Sequence, residues 1–162
     1  MNIANSTNPE LPDRKRLAHP SPLQRVNHPT ILFVTVCIAN RRHLLNTDAA
    51  HQLLADTWIQ SNRWLVGRYV LMPDHLHFFC APNDAVTPFK AWMEYWRNMA
   101  TKAWPITVDK PLWQRDFWDR QLRKGDSYSE KWNYVQENPV RAGLVNQAKD
   151  WPYQGELNVL SW

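Results

Sequence analysis

His75 and His77 flank Leu76 in a short apolar run, His75 to about Ala81, that reads as a β-strand. A strand repeats every two residues, so both imidazoles point to one face while Leu76, Phe78 and Cys80 point to the other. With those three packed on helices, the histidines lie on the open face of a sheet, within reach of a ligand. Two neutral imidazoles at this spacing bind one divalent ion if a third protein ligand joins them, and they leave positions for substrate oxygens. Taken alone, a His-x-His pair is more often structural or merely exposed. The last helix shifts that balance.

Ser127-Tyr-Ser-Glu130 has the spacing of a capping box and opens a helix through about Asn138, where Pro139 stops or bends it. At the helical repeat, Tyr128, Trp132, Val135 and Pro139 fall within about 60° of one another and define a buried stripe. Tyr134 lies about 100° or more from every member of that stripe, so its phenol is presented elsewhere. Asn138 is one turn above Tyr134 on the same face, and Glu137 lies further round. A phenol and an oxygen ligand on one helix, facing two strand histidines, suit phosphodiester transfer. A metal ion polarises the scissile phosphate and helps neutralise the transition state, while the phenolate attacks phosphorus in line. A tyrosine ordinarily ionises near about pH 10, so the metal and nearby Arg or Lys have to favour the phenolate. The product is a phosphotyrosine, which stores the bond energy for rejoining without ATP and suits strand transfer better than hydrolysis.

These residues need a scaffold to bring them together. Ile31 to Ile38 is rich in β-branched residues and predicts a buried strand, with Leu32, Val34, Val36 and Ile38 on one face, leading into the basic loop Asn40-Arg41-Arg42. Asn46 or Thr47 caps a helix over about Asp48 to Asn62, with a stripe of Ala50, Leu53, Leu54, Thr57 and Trp58. Strands over about Trp64 to Met72 and His75 to Ala81 are joined by a tight turn at Pro73-Asp74. A second helix runs within Val86 to Trp104, its apolar face formed by Phe89, Trp92, Trp96, Met99 and Ala103, and a strand with basic edges is expected in Leu112 to Arg123. The order strand, helix, strand, strand, helix, strand, helix predicts an α+β, ferredoxin-like (split βαβ) antiparallel sheet with helices on one face and an extra C-terminal tyrosine-bearing helix. Residues 1–29, Pro-rich with a basic cluster at Arg14, Lys15 and Arg16, read as an arm, and 30–162 as the domain.

A chain of 162 residues suits one domain with a real core, and its apolar runs are too short to span a bilayer. Without a signal-peptide pattern, the protein is expected in the cytosol. Cys37 and Cys80, inside apolar runs, read as buried thiols rather than a disulfide or metal site. Nineteen Lys and Arg against 15 Asp and Glu give a net charge of +4, which permits nucleic-acid binding without establishing it. The ten tryptophans serve either as core filler or as stacking platforms for unpaired bases.

Met72-Pro-Asp-His-Leu-His-Phe-Phe79 resembles the histidine–hydrophobic–histidine strand of the HUH single-tyrosine transposases, and Tyr134-Val-Gln-Glu-Asn-Pro-Val-Arg-Ala-Gly-Leu-Val145 resembles their tyrosine helix. The Asn-Pro-Val, basic residue and Gly of the latter are closest to the REP-associated tyrosine transposases. Phe33 to Arg42, Leu112 to Trp118 and Asp150 to Tyr153 extend the similarity, which covers about Thr30 to Tyr153. The resemblance implies a bacterial, cytoplasmic nuclease domain that cuts single-stranded DNA beside an imperfect palindromic hairpin. It implies Mg²⁺ or Mn²⁺ held by His75, His77 and a third ligand that maps onto Asn138. Tyr134 is then the nucleophile that keeps the 5′ phosphate and releases a 3′ hydroxyl, in a monomer or in a homodimer.

Arg41, Arg42, Arg115, Arg120, Arg123, Lys124 and Arg141 flank the expected site in sequence and are candidate DNA contacts, with Trp113 and Trp118 as weaker stacking candidates. His19, His28, His43 and His51 have no same-face partner and receive no role. Two rivals use the same residues differently. A non-catalytic single-strand nucleic-acid binder needs Tyr134 only as a contact, and a small metallohydrolase using bound water has no use for it.

Overall fold

The β-branched run near the start of the domain forms β1 (Leu32–Cys37), which alternates between a buried and a half-buried face. In this computed structural model residues 30–123 and 126–161 are described; the expected arm over 1–29 and Lys124 lie outside them. Thr47 accepts a hydrogen bond from the Ala50 N–H and so caps α1 (Asp48–Gln60). Ala50, Leu54, Thr57 and Trp58 face inward. Strands β2 (Trp64–Leu71) and β3 (His75–Pro82) form the expected hairpin across Pro73-Asp74, and α2 (Phe89–Lys102) follows. Its buried face is Phe89, Trp92, Met93, Trp96 and Ala100, so beyond Trp96 the stripe continues through Ala100 instead of Met99 and Ala103.

With β4 (Trp118–Gln121) and β5 (Gln154–Glu156), the sheet order is β4-β1-β3-β2-β5, antiparallel throughout. The first four strands have the split βαβ order predicted above, with β3 inserted between β1 and β2. Helices α1 and α2 cover the face that carries Leu32, Val34, Val36, Leu76 and Phe78. Trp58, Trp64, Trp92 and Trp96 are all fully buried there. Core filling therefore explains much of the tryptophan content. Trp64 and Trp92 satisfy their indole N–H groups on the carbonyls of Thr87 and Ser61.

The other face departs from the expectation. It is not left open, because Ile31, Val70, Met72 and Phe79 build a second core with Leu122, Tyr128, Val135, Trp151 and Leu160. Helix α3 (Tyr128–Gln136), with Ser127 as its cap, lays its stripe on this face, and the C-terminal segment closes beside it. The helix breaks at Glu137, and Pro139 enters the first turn of a short α4 (Asn138–Arg141). β5 on the edge of β2 was not anticipated.

The expected strand over Leu112 to Arg123 shrinks to β4 and a single bridge between Trp113 and Ile38. The adjacent Leu112 and Trp113 are both buried, which breaks alternation, and the carbonyls of Gln114 and Arg115 accept from Arg97 instead of from β1. Cys37 and Cys80 are buried and form no disulfide with each other.

Candidate functional site

Strand β3 carries His75 and His77 on the face of the second core, at its margin, where both are half-buried. Each ring is fixed by a neighbour on its Nδ1. The Asp74 carboxylate lies 2.7 Å from His75 Nδ1, and the hydroxyl of Thr35, the cross-strand partner of His77 on β1, lies 2.7 Å from His77 Nδ1. A carboxylate only accepts, so His75 donates from Nδ1 and presents the lone pair of Nε2. Neither Nε2 has a hydrogen-bond partner among the described residues. The rings stand 4.9 Å apart at 81°. Burial, followed by the charges of His75, Arg141 and Lys131, holds the His77 imidazole down to about 3, so it is neutral at physiological pH. Burial pushes the Asp74 carboxyl up, but the hydrogen bonds and charges of His75 and Arg41 outweigh this and leave it below its ordinary value.

Asp74 also accepts from Arg41 Nε at 2.8 Å. Arg41 stands at φ 53 in a 3-10 turn (Ala39–Arg41), a left-handed conformation uncommon for a side-chain-bearing residue, and its Nη1 reaches Cys37 Sγ. The basic loop is thereby pinned beside the histidines.

Helix α3 turns Tyr134 outward, 64% exposed. Because the chain breaks at Glu137, α4 returns Arg141 over it: the guanidinium sits 4.2 Å from the ring centroid and donates to the Tyr134 carbonyl at 2.8 Å. The same guanidinium donates to Asn138 Oδ1. Arg141 is also among the charges that depress His77, and Lys131 of α3 lies 5.3 Å from the ring of Phe33, which stacks on His77 at 5.4 Å. Arg141 and Lys131 thus connect the tyrosine helix with the histidine strand.

Of the other arginines singled out above, Arg120 and Arg123 stand at β4 and just beyond it, with Arg120 3.9 Å from Asp126. Arg42 spends its guanidinium on the carbonyls of Ala39, Asp109 and Pro111, which ties its loop to the segment before Leu112. Arg115 lies elsewhere, on a cavity of about 760 Å³ with Lys102 and Lys110. Trp113 is 7% exposed with its Nε1 bonded to Arg97, so it is core and not a stacking surface, whereas Trp118 is exposed. His51 contacts Tyr69 Oη at 2.7 Å, a structural bond.

Sequence reasoning missed Asp74, Thr35 and Lys131. Thr35 had a visible signal, being the polar residue of an apolar strand at the phase opposite Leu32, Val34 and Val36. Among the described residues, no cluster of three His, Cys, Asp or Glu forms a metal site. An ion at the two Nε2 atoms therefore needs a different third ligand, and the amide oxygen of Asn138, whose second lone pair remains, has the right chemistry. The anchored Nδ1 atoms are the supporting contacts that metal-binding histidines require, so the pair fits a divalent cation.

No family model matches the chain. A REP-associated tyrosine transposase of Escherichia coli K12 is 29% identical over 124 residues, which covers 75% of this chain and 73% of that protein. A solved REP-associated tyrosine transposase bound to a REP hairpin shares the fold, with a TM-score of 0.66 at 23% identity over 88% of this chain and 81% of that one. A Deinococcus radiodurans structure provisionally assigned as a transposase is more distant, with a TM-score of 0.50 and 14% identity over 68% of this chain and 91% of that one. Likeness of sequence to the Escherichia coli protein along three quarters of the chain, together with a shared fold, makes this protein homologous to that REP-associated tyrosine transposase and supports a transposase-like function.

Proposed function

We propose that the protein cuts and rejoins single-stranded DNA beside a palindromic repeat hairpin, in the bacterial cytoplasm and as a monomer or homodimer, through a 5′-phosphotyrosine on Tyr134. The observation that carries this is Arg141. One guanidinium covers the Tyr134 ring, binds Asn138 and bears on His77, which unites the nucleophile with the residues assigned to Mg²⁺ or Mn²⁺, namely His75, His77 and Asn138. When bound, such an ion supplies Lewis-acid polarisation of the scissile phosphate. The chain's own residues do the rest. Asp74 and Thr35 orient the imidazoles, and Arg141 holds the tyrosine against the helix end. The Tyr134 phenolate attacks phosphorus, the 3′ oxygen leaves, and attack by a 3′ hydroxyl on the phosphotyrosine reseals a strand. Arg41, Arg42, Arg115, Arg120, Arg123, Lys124 and Arg141 are assigned to the DNA, with Arg41, Arg120 and Arg141 nearest the reacting phosphate.

The test is a denaturing gel with a 3′-end-labelled hairpin carrying an unpaired flank, in Mn²⁺, followed by peptide mapping of any shifted band. An adduct on Tyr134 that is absent in Tyr134→Phe is the expected result. Cleavage without an adduct favours the metallohydrolase, and hairpin binding without cleavage in any metal favours the non-catalytic binder.

A further inference from the structure

Tyr134 lines a cavity of about 300 Å³ with Arg120, Leu122, Asp126, Ser127, Glu130 and Lys131. Its charges are of both signs. The capping box at the start of α3 is only half formed: Ser127 Oγ accepts from the Glu130 N–H, but the Glu130 carboxylate makes no hydrogen bond or ion pair among the described residues. One Asp126 oxygen accepts from the Arg123 N–H, and its ion pair with Arg120 is long at 3.9 Å. Lys131 makes no ion pair among the described residues, and its ammonium lies over the Phe33 ring. A carboxylate and an ammonium with no ion-pair partner among the described residues therefore share a small cavity with the exposed phenol.

We infer that this cavity receives an unpaired nucleobase bearing an exocyclic amino group, next to the phosphate that Tyr134 attacks. The proposal rests on Tyr134 being the nucleophile and adds to it a position where base identity is read. A carboxylate accepts hydrogen bonds and cannot donate, so it matches the amino groups of adenine, cytosine and guanine, whereas the one donor of an unpaired thymine, its N3–H, is flanked by two carbonyl oxygens that repel the carboxylate. Leu122 gives the lining an aliphatic side chain that suits the base plane. Lys131 and Arg120 face the phosphates on either side, a contact without sequence information. The volume admits one base and no duplex.

Binding is measured by fluorescence anisotropy in the Tyr134→Phe background, on labelled hairpins whose flank nucleotides are changed one at a time to each of the four bases. At one flank position thymine is expected to weaken binding on the order of tenfold against the best amino-bearing base, the worth of one charge-assisted hydrogen bond. Glu130→Ala should reduce that spread to within about twofold, Lys131→Ala should weaken all four bases alike, and Glu94→Ala, on the outer face of α2, should leave the spread intact. Equal affinity for all bases at every flank position overturns the proposal, as does a spread that persists in Glu130→Ala. Because binding is read without cleavage, a wild-type protein that discriminates bases but forms no adduct defeats the nucleophile assignment alone.

Discussion

Replacing Asp74 isolates the part of the proposed metal site that belongs to the chain itself. Its carboxylate binds His75 Nδ1 at 2.7 Å and Arg41 Nε at 2.8 Å, with 20% of the side chain exposed. Asp74→Ala frees the His75 ring to rotate and to take the other tautomer, which removes the lone pair from Nε2. Loss of such a supporting contact to a metal-binding histidine weakens the metal by about 10- to 100-fold, or about 1.4 to 2.8 kcal/mol. Asp74→Asn keeps an acceptor oxygen without the charge and should recover most of the affinity, within about threefold of wild type if orientation is the main effect. Titration of Mn²⁺ into protein without DNA, followed by loss of the free-ion electron paramagnetic resonance signal, measures this directly. Thermal melting of the metal-free proteins checks the fold. If Asp74→Ala binds Mn²⁺ as well as wild type while His75→Ala abolishes binding, Asp74 does not orient the ligand and the reasoning fails.

Other outcomes follow from the same geometry. Tyr134→Phe removes a hydroxyl from an exposed ring while keeping the face under Arg141, so melting should shift by an amount equivalent to less than about 0.5 kcal/mol while adduct formation disappears from the gel. Neutral burial of His77, with its imidazole held down to about 3 against an ordinary 6.5, means that the unfolded chain takes up the proton first on acidification. The metal-free protein is therefore at full stability, as far as His77 is concerned, above about pH 6.5 and loses it progressively toward about pH 3; His77→Asn should flatten that fall in melting temperature. Hairpin DNA with an unpaired flank should bind more tightly than a blunt duplex at equal ionic strength, and affinity should fall as salt rises; equal affinity for the two in a salt titration contradicts the assignment. Trp92→Ala should cost about 3 to 5 kcal/mol in urea unfolding, since the indole is 1% exposed and its N–H satisfies the Ser61 carbonyl.

The elements with strong periodicity were legible in the sequence. Alternation in β1 and β3, the Thr47 cap and the Pro73-Asp74 turn each follow from local chemistry, and together they set the split βαβ order. The outward turn of Tyr134 was visible as well, because Tyr128, Trp132 and Val135 already define a stripe that excludes it. What escaped depends on residues distant in sequence. β5 has three residues and no period of its own; it reaches β2 because the Trp151 indole bonds the Leu71 carbonyl and the Tyr153 carbonyl accepts from the Leu71 N–H. The second core is assembled from Ile31, Phe79, Leu122, Tyr128 and Trp151, which no local pattern groups. Arg141 could be nominated from its charge, but its position over Tyr134 requires the break at Glu137, and only the fold shows that break returning the chain.

The two halves of the proposed site stand on elements of unequal tenacity. β3 is paired on both sides, with β1 and β2, and is packed on both faces, so its amides should exchange with solvent only when the whole domain opens. Helix α3 is held to the sheet through one stripe of Tyr128, Trp132 and Val135, and its opposite side meets water. Its amides should therefore exchange with solvent sooner than those of β3. The imidazoles therefore stand on the more tenacious element and the tyrosine on the one that should open first. A strand end joined to Tyr134, as proposed above, would be carried on the part of the domain that yields before the histidine strand does.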